Sequence, residues 1–145
     1  MNNGLFTSNK DDWETPQDLF DELNKEFGFQ LDPCASRENA KCDNYFTQKQ
    51  GGLEQDWTIY DSVFVNPPYG RKIGLWIEKS FQTSCCGTIV VCLLPARTDT
   101  QWFHDYIYGK AEIRFLKGRL KFSNSKNSAP FPSMVVVFRK KPVLL

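Results

Sequence analysis

Asn66, Pro67, Pro68 and Tyr69 are the stretch of this sequence whose residue types and order converge on one chemical task. An asparagine side chain offers a carbonyl oxygen, and the backbone of the next residue offers a second. Together they can accept both N–H bonds of a planar amino group. An amino group conjugated to a ring is a poor nucleophile, because its lone pair is delocalised. Two fixed acceptors favour the transition state, in which the nitrogen pyramidalises and becomes positive. Pro68 biases Pro67 toward an extended backbone, and the two rings stiffen the loop, so the acceptors are held in advance. Tyr69 adds a π-face for an extruded base. The same four residues also read as a rigid turn without chemistry, since Asn-Pro dipeptides are ordinary turn formers.

Something must present this tetrad. The run Ser62-Val63-Phe64-Val65 just before it reads as a strand, which puts the tetrad at a strand's carboxyl end, where open α/β sheets bind ligands. A helix follows it, with Ile73, Trp76, Ile77 and Phe81 facing inward. Thr88 to Leu94 is a continuous apolar run, the mark of a strand buried on both faces. Upstream, Thr15 reads as the N-cap of a helix with Pro16 at its first position and Asp18 in its first turn. Leu19, Phe20, Leu23 and Phe27 form its apolar stripe, and Gly28 is placed to end it.

A short strand, Phe29 to Leu31, then runs into Asp32-Pro33-Cys34-Ala35-Ser36. Residues 37–55 carry a weak signal, with one short strand near Tyr45-Phe46 and a loop at Gly51-Gly52. Downstream, Trp102, Phe103, Tyr106 and Ile107 mark a helical segment, and Ala111 to Leu116 a strand. Arg119 to Phe122 and Ser133 to Phe138 read as an antiparallel pair joined by a polar loop. Alternating strands and helices with a closing hairpin predict an α/β fold, a mostly parallel sheet with an antiparallel edge hairpin.

With 145 residues, 41% of them hydrophobic, the chain is expected to form one domain, with residues 1–12 as a flexible tail. No apolar run reaches the roughly 20 residues that span a bilayer, so no membrane partner is expected. The five cysteines lack a disulfide or zinc spacing and His104 is the only histidine, so reduced thiols, a cytoplasmic setting and no metal are expected. The net charge is only +1. Its distribution says more: acids outnumber bases by more than two to one before Ser62, whereas between Lys110 and Lys141 the sole acid is Glu112. A basic late third could face phosphates, or simply make the surface dipolar. Arg97 and Asp99 follow a strand end, so they read as substrate contacts or as a surface pair. Phe131, between two prolines, reads as a stacking residue or a packed loop.

The tetrad resembles the catalytic motif of amino-directed methyltransferases, and the chain as a whole resembles the small phage and prophage DNA N6-adenine methyltransferases. The likeness runs through Trp13-Glu14-Thr15-Pro16, Leu31-Asp32-Pro33-Cys34-Ala35, Asn44-Tyr45-Phe46, Gln55-Asp56-Trp57 and the tetrad with Gly70. It continues in Leu94-Pro95-Ala96-Arg97-Thr98-Asp99-Thr100, Gly118-Arg119-Leu120 and Ala129-Pro130-Phe131-Pro132-Ser133.

The resemblance implies a Rossmann-like methyltransferase domain that transfers a methyl group from S-adenosylmethionine to N6 of a DNA adenine flipped out of its duplex. It implies catalysis by Asn66, Pro67, Pro68 and Tyr69. Cofactor binding would fall to Thr15, Pro16, Asp32, Pro33, Cys34, Asp56 and Asn66, with Thr15-Pro16 near the methionine part and Asp56 accepting from the cofactor's adenine amino group. Substrate contacts would fall to Tyr69, Arg97, Arg119 and Phe131. Asp32-Pro33-Cys34-Ala35-Ser36 is a shortened form of the family's cofactor loop without its glycines, and the acid that usually binds the ribose has no match. With no separate target-recognition domain, base reading would rest on the loop 123–132, on the basic C-terminal third or on the partner in a homodimer, and target specificity is expected to be short. A role in the bacterial cytoplasm, protecting DNA from restriction, is implied too. Rival readings are an RNA-base or protein-glutamine methyltransferase with the same tetrad, and a non-catalytic nucleic-acid-binding module.

Overall fold

The structure, a computed structural model, describes residues 11–140; residues 1–10 of the expected tail lie outside the described residues. Six strands form one sheet: β1 (Leu31–Asp32), β2 (Asn44–Tyr45), β3 (Ser62–Val65), β4 (Ile89–Pro95), β5 (Glu112–Phe115) and β6 (Ser133–Phe138). Their spatial order is β2-β1-β3-β4-β6-β5. The β1–β2, β1–β3 and β3–β4 pairs are parallel, whereas β6 is antiparallel to both β4 and β5. Since both neighbours of β6 run opposite to it, β5 shares the direction of β1 to β4. One strand is therefore reversed, and it lies second from the edge rather than on it.

The expected pairing of Arg119–Phe122 with Ser133–Phe138 is corrected: 119–122 is not a strand, and the partners of β6 are β4 and β5. The alternating apolar side chains of Leu120 and Phe122 have another use. Phe122 is wholly buried, while the next backbone N–H, at Ser123, donates to the Glu14 carbonyl (2.9 Å) instead of to a neighbouring strand.

Helix α1 (Gln17–Phe27) forms on its apolar stripe, and Gly28 ends it at φ 60° with its N–H on the Asn24 carbonyl (2.8 Å). Only glycine takes that conformation without strain. The expected start is corrected, however. Pro16 is the N-cap and Gln17 the first helical residue, and the Thr15 hydroxyl does not cap the helix. Phe20 of α1 meets Phe64 of β3 edge-on at 5.2 Å.

Helix α2 (Ile73–Cys85) packs on the opposite face. Its Ser80 contacts Cys92 of β4 (Oγ to Sγ 3.4 Å), and Phe81 meets Phe138 of β6 at 6.4 Å. Phe64 pairs with Val91, and Cys92 pairs with Val65 and Val136, so the two helices cover alternate side chains of the same strands. Covered on both faces, β3, β4 and β6 are apolar at nearly every position, and their burial is the main driving force for folding, at about 1.5–3 kcal/mol for each large side chain. A wide helical turn, Phe103–Ile107, follows β4; its Tyr108 N–H reaches back five residues to the Phe103 carbonyl (2.8 Å). Among the described residues, no helix is long and apolar enough to cross a membrane.

Candidate active site

Because β1, β3 and β4 are parallel, their carboxyl ends share one sheet edge. Asp32 ends β1, Asn66 follows β3, and Ala96 to Asp99 follow β4. The reversed strand β6 brings its start to the same edge. Ser133 pairs with Pro95, and the Ala96 N–H donates to the Pro132 carbonyl (2.9 Å), so Phe131 arrives there as well. Residues dispersed through about 100 positions of sequence are gathered by topology alone.

Asn66 is held from one side. Its amide nitrogen donates to the Trp13 carbonyl and to the Thr15 hydroxyl oxygen (2.9 Å). A carbonyl can only accept, so the amide must present its NH2 to Trp13, and the assignment of oxygen and nitrogen follows. The oxygen is turned the other way, buried and without a hydrogen-bond partner among the described residues. Leaving a buried acceptor unpaired costs about 1–3 kcal/mol, and such atoms are rare in folded proteins. A buried acceptor beside the Pro67 backbone is what the chemistry of an incoming N–H donor requires.

The group that grips Asn66 is a strap, residues 11–15. The Asp11 carbonyl accepts from the Tyr69 N–H (3.0 Å), so the strap is bonded to the tetrad at both ends. Its other side is fastened to the loop after Phe122. Asn124 donates to the Asp12 carbonyl (3.0 Å) and accepts from the Glu14 N–H (2.9 Å), and the Ser123 hydroxyl donates to the Thr15 carbonyl (3.1 Å). Asp11 and Asp12, placed in a tail by sequence, are thus fixed parts of the site.

Tyr69, expected to offer its face, is only 5% exposed; its hydroxyl donates to the Leu93 carbonyl of β4 (2.9 Å), and burial holds its pKa well above the usual tyrosine value. Its ring belongs to an aromatic cluster, 5.6 Å from Phe131 and 6.4 Å from Phe122; Trp13 completes the group at 5.2 Å from Phe122 and 5.1 Å from Phe131. Pro67 is buried and Pro68 half-buried.

On the neighbouring strand, the Asp32 carboxylate is 4% exposed and accepts from the Lys41 N–H (3.0 Å). Burial outweighs the backbone hydrogen bonds from Lys41 and Cys34 and raises its pKa to about 6. Cys34 beside it is raised to about 12, chiefly by burial and further by Asp32, which makes it an inert thiol rather than a nucleophile. Gly52 fits this loop tightly: a Cβ there would lie 2.0 Å from the Pro33 carbonyl oxygen. A glycine from further along the chain thus packs its backbone directly against this loop.

Asp56 is exposed, and one carboxylate oxygen accepts from the Thr58 hydroxyl (2.6 Å) and N–H (2.8 Å), which lowers its pKa. The adjacent Trp57 is fully buried, stacked 6.0 Å from Trp76, with its indole N–H on the Gly52 carbonyl (2.9 Å). Arg97 and Arg119 are exposed, Arg97 on the edge that carries the tetrad, and no ion pair joins Arg97 to Asp99 among the described residues. A hollow of about 530 Å³ flanks β2, lined by Asp43, Tyr45, Phe46, Lys49 and Tyr60 among others, and includes none of the tetrad.

The structure therefore joins Thr15, Asn66, Tyr69 and Phe131 by direct contacts or through Trp13, and sets Asp32, Pro33 and Cys34 on the next strand end. Sequence reasoning assigned no role to Trp13, saw Gly52 only as part of a loop, and placed Ser123 and Asn124 in a base-reading loop rather than in the fastening of the strap. Trp13 acts on Asn66 through a backbone carbonyl, which no residue type announces. The paired glycines at 51–52 were a visible signal, but of a loop only.

Comparison with known proteins points in one direction. A family model described as DNA N-6-adenine-methyltransferase (Dam) matches residues 3–143. A DNA N-6-adenine-methyltransferase of Haemophilus phage HP1 (strain HP1c1) is 30% identical over 142 residues, covering 92% of this chain and 82% of that protein. One of Escherichia phage T1 is 30% identical over 112 residues, 77% of this chain and 47% of that protein, so the chain matches about half the length of the T1 relative.

Proposed function

The chain belongs to the DNA N-6-adenine-methyltransferase family, and on that premise we propose that it methylates the exocyclic nitrogen N6 of adenine in DNA. The observation that carries this reading is the buried, unpartnered side-chain oxygen of Asn66. Among the described residues it is an acceptor without a donor, at the carboxyl end of a central parallel strand, where a Rossmann-like methyltransferase fold would place the target amino group.

S-adenosylmethionine, when bound, supplies a methyl group made electrophilic by its sulfonium. The chain's own residues do the rest. Asn66 Oδ1 and the Pro67 carbonyl accept the two N–H bonds of the amine, orient its lone pair and stabilise the positive charge that grows on nitrogen. Pro67 and Pro68 hold both acceptors without reorganisation at the moment of reaction. No side chain need act as nucleophile, and the surplus proton leaves the product amine for solvent.

The residues present suit that cofactor. Asp32, a buried carboxylate at the end of β1, favours a ligand carrying positive charge, and the Pro33-Cys34 turn and Pro16 flank the same edge. Asp56 keeps its cofactor-adenine role in this reading through the carboxylate oxygen not engaged by Thr58. Phe131 and Trp13, the half-buried members of the aromatic cluster, would offer the faces against which a flipped adenine lies, with Tyr69 and Phe122 buried behind them. Extrusion costs a few kcal/mol. Arg97 and Arg119 would meet phosphates, with the loop 123–132 or a second copy of the chain adding base contacts. The reaction would take place in the bacterial cytoplasm.

The test is incubation with unmethylated DNA and methyl-labelled S-adenosylmethionine, digestion to nucleosides and identification of the labelled one, with Asn66→Ala alongside. Label in N6-methyladenine that disappears in the variant supports the reading. Cofactor binding with no label in DNA overturns it and directs the search to RNA or protein amides.

A further inference from the structure

We infer that Thr15 is a positioning residue for Asn66, acting through its hydroxyl on the side-chain amide and not on the cofactor. The inference rests on the reading of Asn66 as the acceptor of the target amino group.

Thr15 is 3% exposed, and its Oγ1 lies 2.9 Å from Asn66 Nδ2. With the Trp13 carbonyl it forms a two-oxygen cradle for the NH2. Turning the Asn66 amide over would set its oxygen against the Trp13 carbonyl, which can only accept. Trp13 therefore selects the orientation with Oδ1 facing away from the strap, and Thr15 holds the amide in it. Trp13 alone would hold one N–H and leave the other free, so Thr15 supplies the second point that stops the amide from rotating about its last bond.

Thr15 is itself clamped. Its carbonyl accepts from the Ser123 hydroxyl (3.1 Å), and the preceding Glu14 is bonded to Asn124 and Ser123. Among the described residues, Asn66 is the hydrogen-bond partner of the Thr15 hydroxyl. The helix that begins at Gln17 takes no cap from it.

Thr15→Val and Thr15→Ser test the inference. Valine keeps the shape and removes the acceptor, while serine restores it. Misplacing a reacting group by a fraction of an ångström to about 1 Å costs roughly 10- to 100-fold in rate. We expect that fall in kcat for Thr15→Val, with the Kd for S-adenosylmethionine and the KM for DNA within about twofold of wild type, and recovery to within about threefold in Thr15→Ser. A merely structural role would lower the melting temperature without splitting kcat from KM. An unchanged kcat in Thr15→Val, a matching loss of cofactor affinity, or no rescue by serine in a folded protein would each overturn the inference.

An activity-independent measurement separates this from the function itself. In ¹⁵N-labelled protein the Asn66 side-chain NH2 protons should exchange slowly in wild type and Thr15→Ser and faster in Thr15→Val. Equal exchange in all three overturns the role of Thr15. A wild type that makes no N6-methyladenine overturns the functional reading, and the exchange data still decide Thr15.

Discussion

The carbonyl oxygen of Trp13 accepts a hydrogen bond from the side-chain amide of Asn66, a residue 53 positions away. Since a carbonyl cannot donate, this contact dictates that residue 66 present an NH2 on that side. It determines both the residue type and the direction of the acceptor left over.

Asn66→Asp should therefore be nearly inactive, although a carboxylate has acceptors of its own. One of its oxygens would face the Trp13 carbonyl, which can only accept, and the repulsion would turn the group or draw a proton onto it. We expect kcat/KM to fall by roughly 10²–10³, the range seen when one preorganised stabilising group is lost. Steady-state kinetics with a circular dichroism spectrum check this. Near-wild-type activity in a folded Asn66→Asp protein would show that the strap does not select the residue.

Asp32 makes stability depend on pH. Its folded-state pKa of about 6 lies above the value of 3.8 expected for an exposed carboxyl. Its contribution favours folding fully below about pH 4 and is lost as pH rises through about 6, because the ionised form is disfavoured inside. The change is about 3 kcal/mol at about 1.4 kcal/mol per unit. Asp32→Asn should abolish that dependence, so its stability relative to wild type improves from about pH 4 to about pH 8. Urea unfolding at several pH values measures the difference, and two parallel curves would contradict the assignment.

The same titration bears on the ligand. A cation bound beside Asp32 favours the ionised carboxyl, so affinity for S-adenosylmethionine should rise as pH increases through about 6 and level off above it. Calorimetry from about pH 5 to about pH 8 reads this directly. In the Asp32→Asn variant the rise should vanish.

Gly52→Ala should disturb the loop at the end of β1. The added carbon would fall 2.0 Å from the Pro33 carbonyl oxygen and 3.0 Å from the Trp76 ring, so backbone must move. Forced overpacking of this kind costs about 1–3 kcal/mol. Gly28→Ala is the control: nothing lies within 4 Å of its added carbon, and the cost is only that of a positive φ. Both variants should lose stability, and only Gly52→Ala should also weaken cofactor binding.

Tyr69→Phe addresses what the tyrosine does. The ring would stay in the aromatic cluster while the bond from its hydroxyl to the Leu93 carbonyl disappears. A buried acceptor that loses a donor predicts a loss of about 1–3 kcal/mol in thermal or denaturant unfolding. Unchanged stability would mean that the hydroxyl is not anchored to β4.

Much of the architecture was legible in the sequence because hydrophobic patterning is local. Thr88 to Leu94 reads as a strand buried on both faces, and Ile89–Pro95 is the central strand β4. Gly28 ends α1 as its position implies. Arg119–Phe122 misled for a related reason. Alternating burial marks a strand only if neighbouring strands accept its backbone hydrogen bonds, and here the Ala129 N–H reaches Leu120 while Ser123 turns to Glu14. Thr15 misled in the same way: it has the chemistry of a helix cap, but a better-placed donor on Asn66 takes its oxygen.

The sequence by itself determined that an Asn-Pro-Pro-Tyr turn follows a buried strand, that the chain alternates helix and strand around it, and which side chains are available to the site. The tertiary structure alone decided that β6 enters in reverse between β4 and β5, bringing Phe131 to the tetrad, and that a strap at residues 11–15 holds Asn66 with its oxygen free. The division has a physical cause. Patterning and turn chemistry act over a few residues and are written in side-chain types. The pairing of strands, and the capture of an amide by a backbone carbonyl 53 residues distant, depend on groups that every residue carries and that only packing brings within reach.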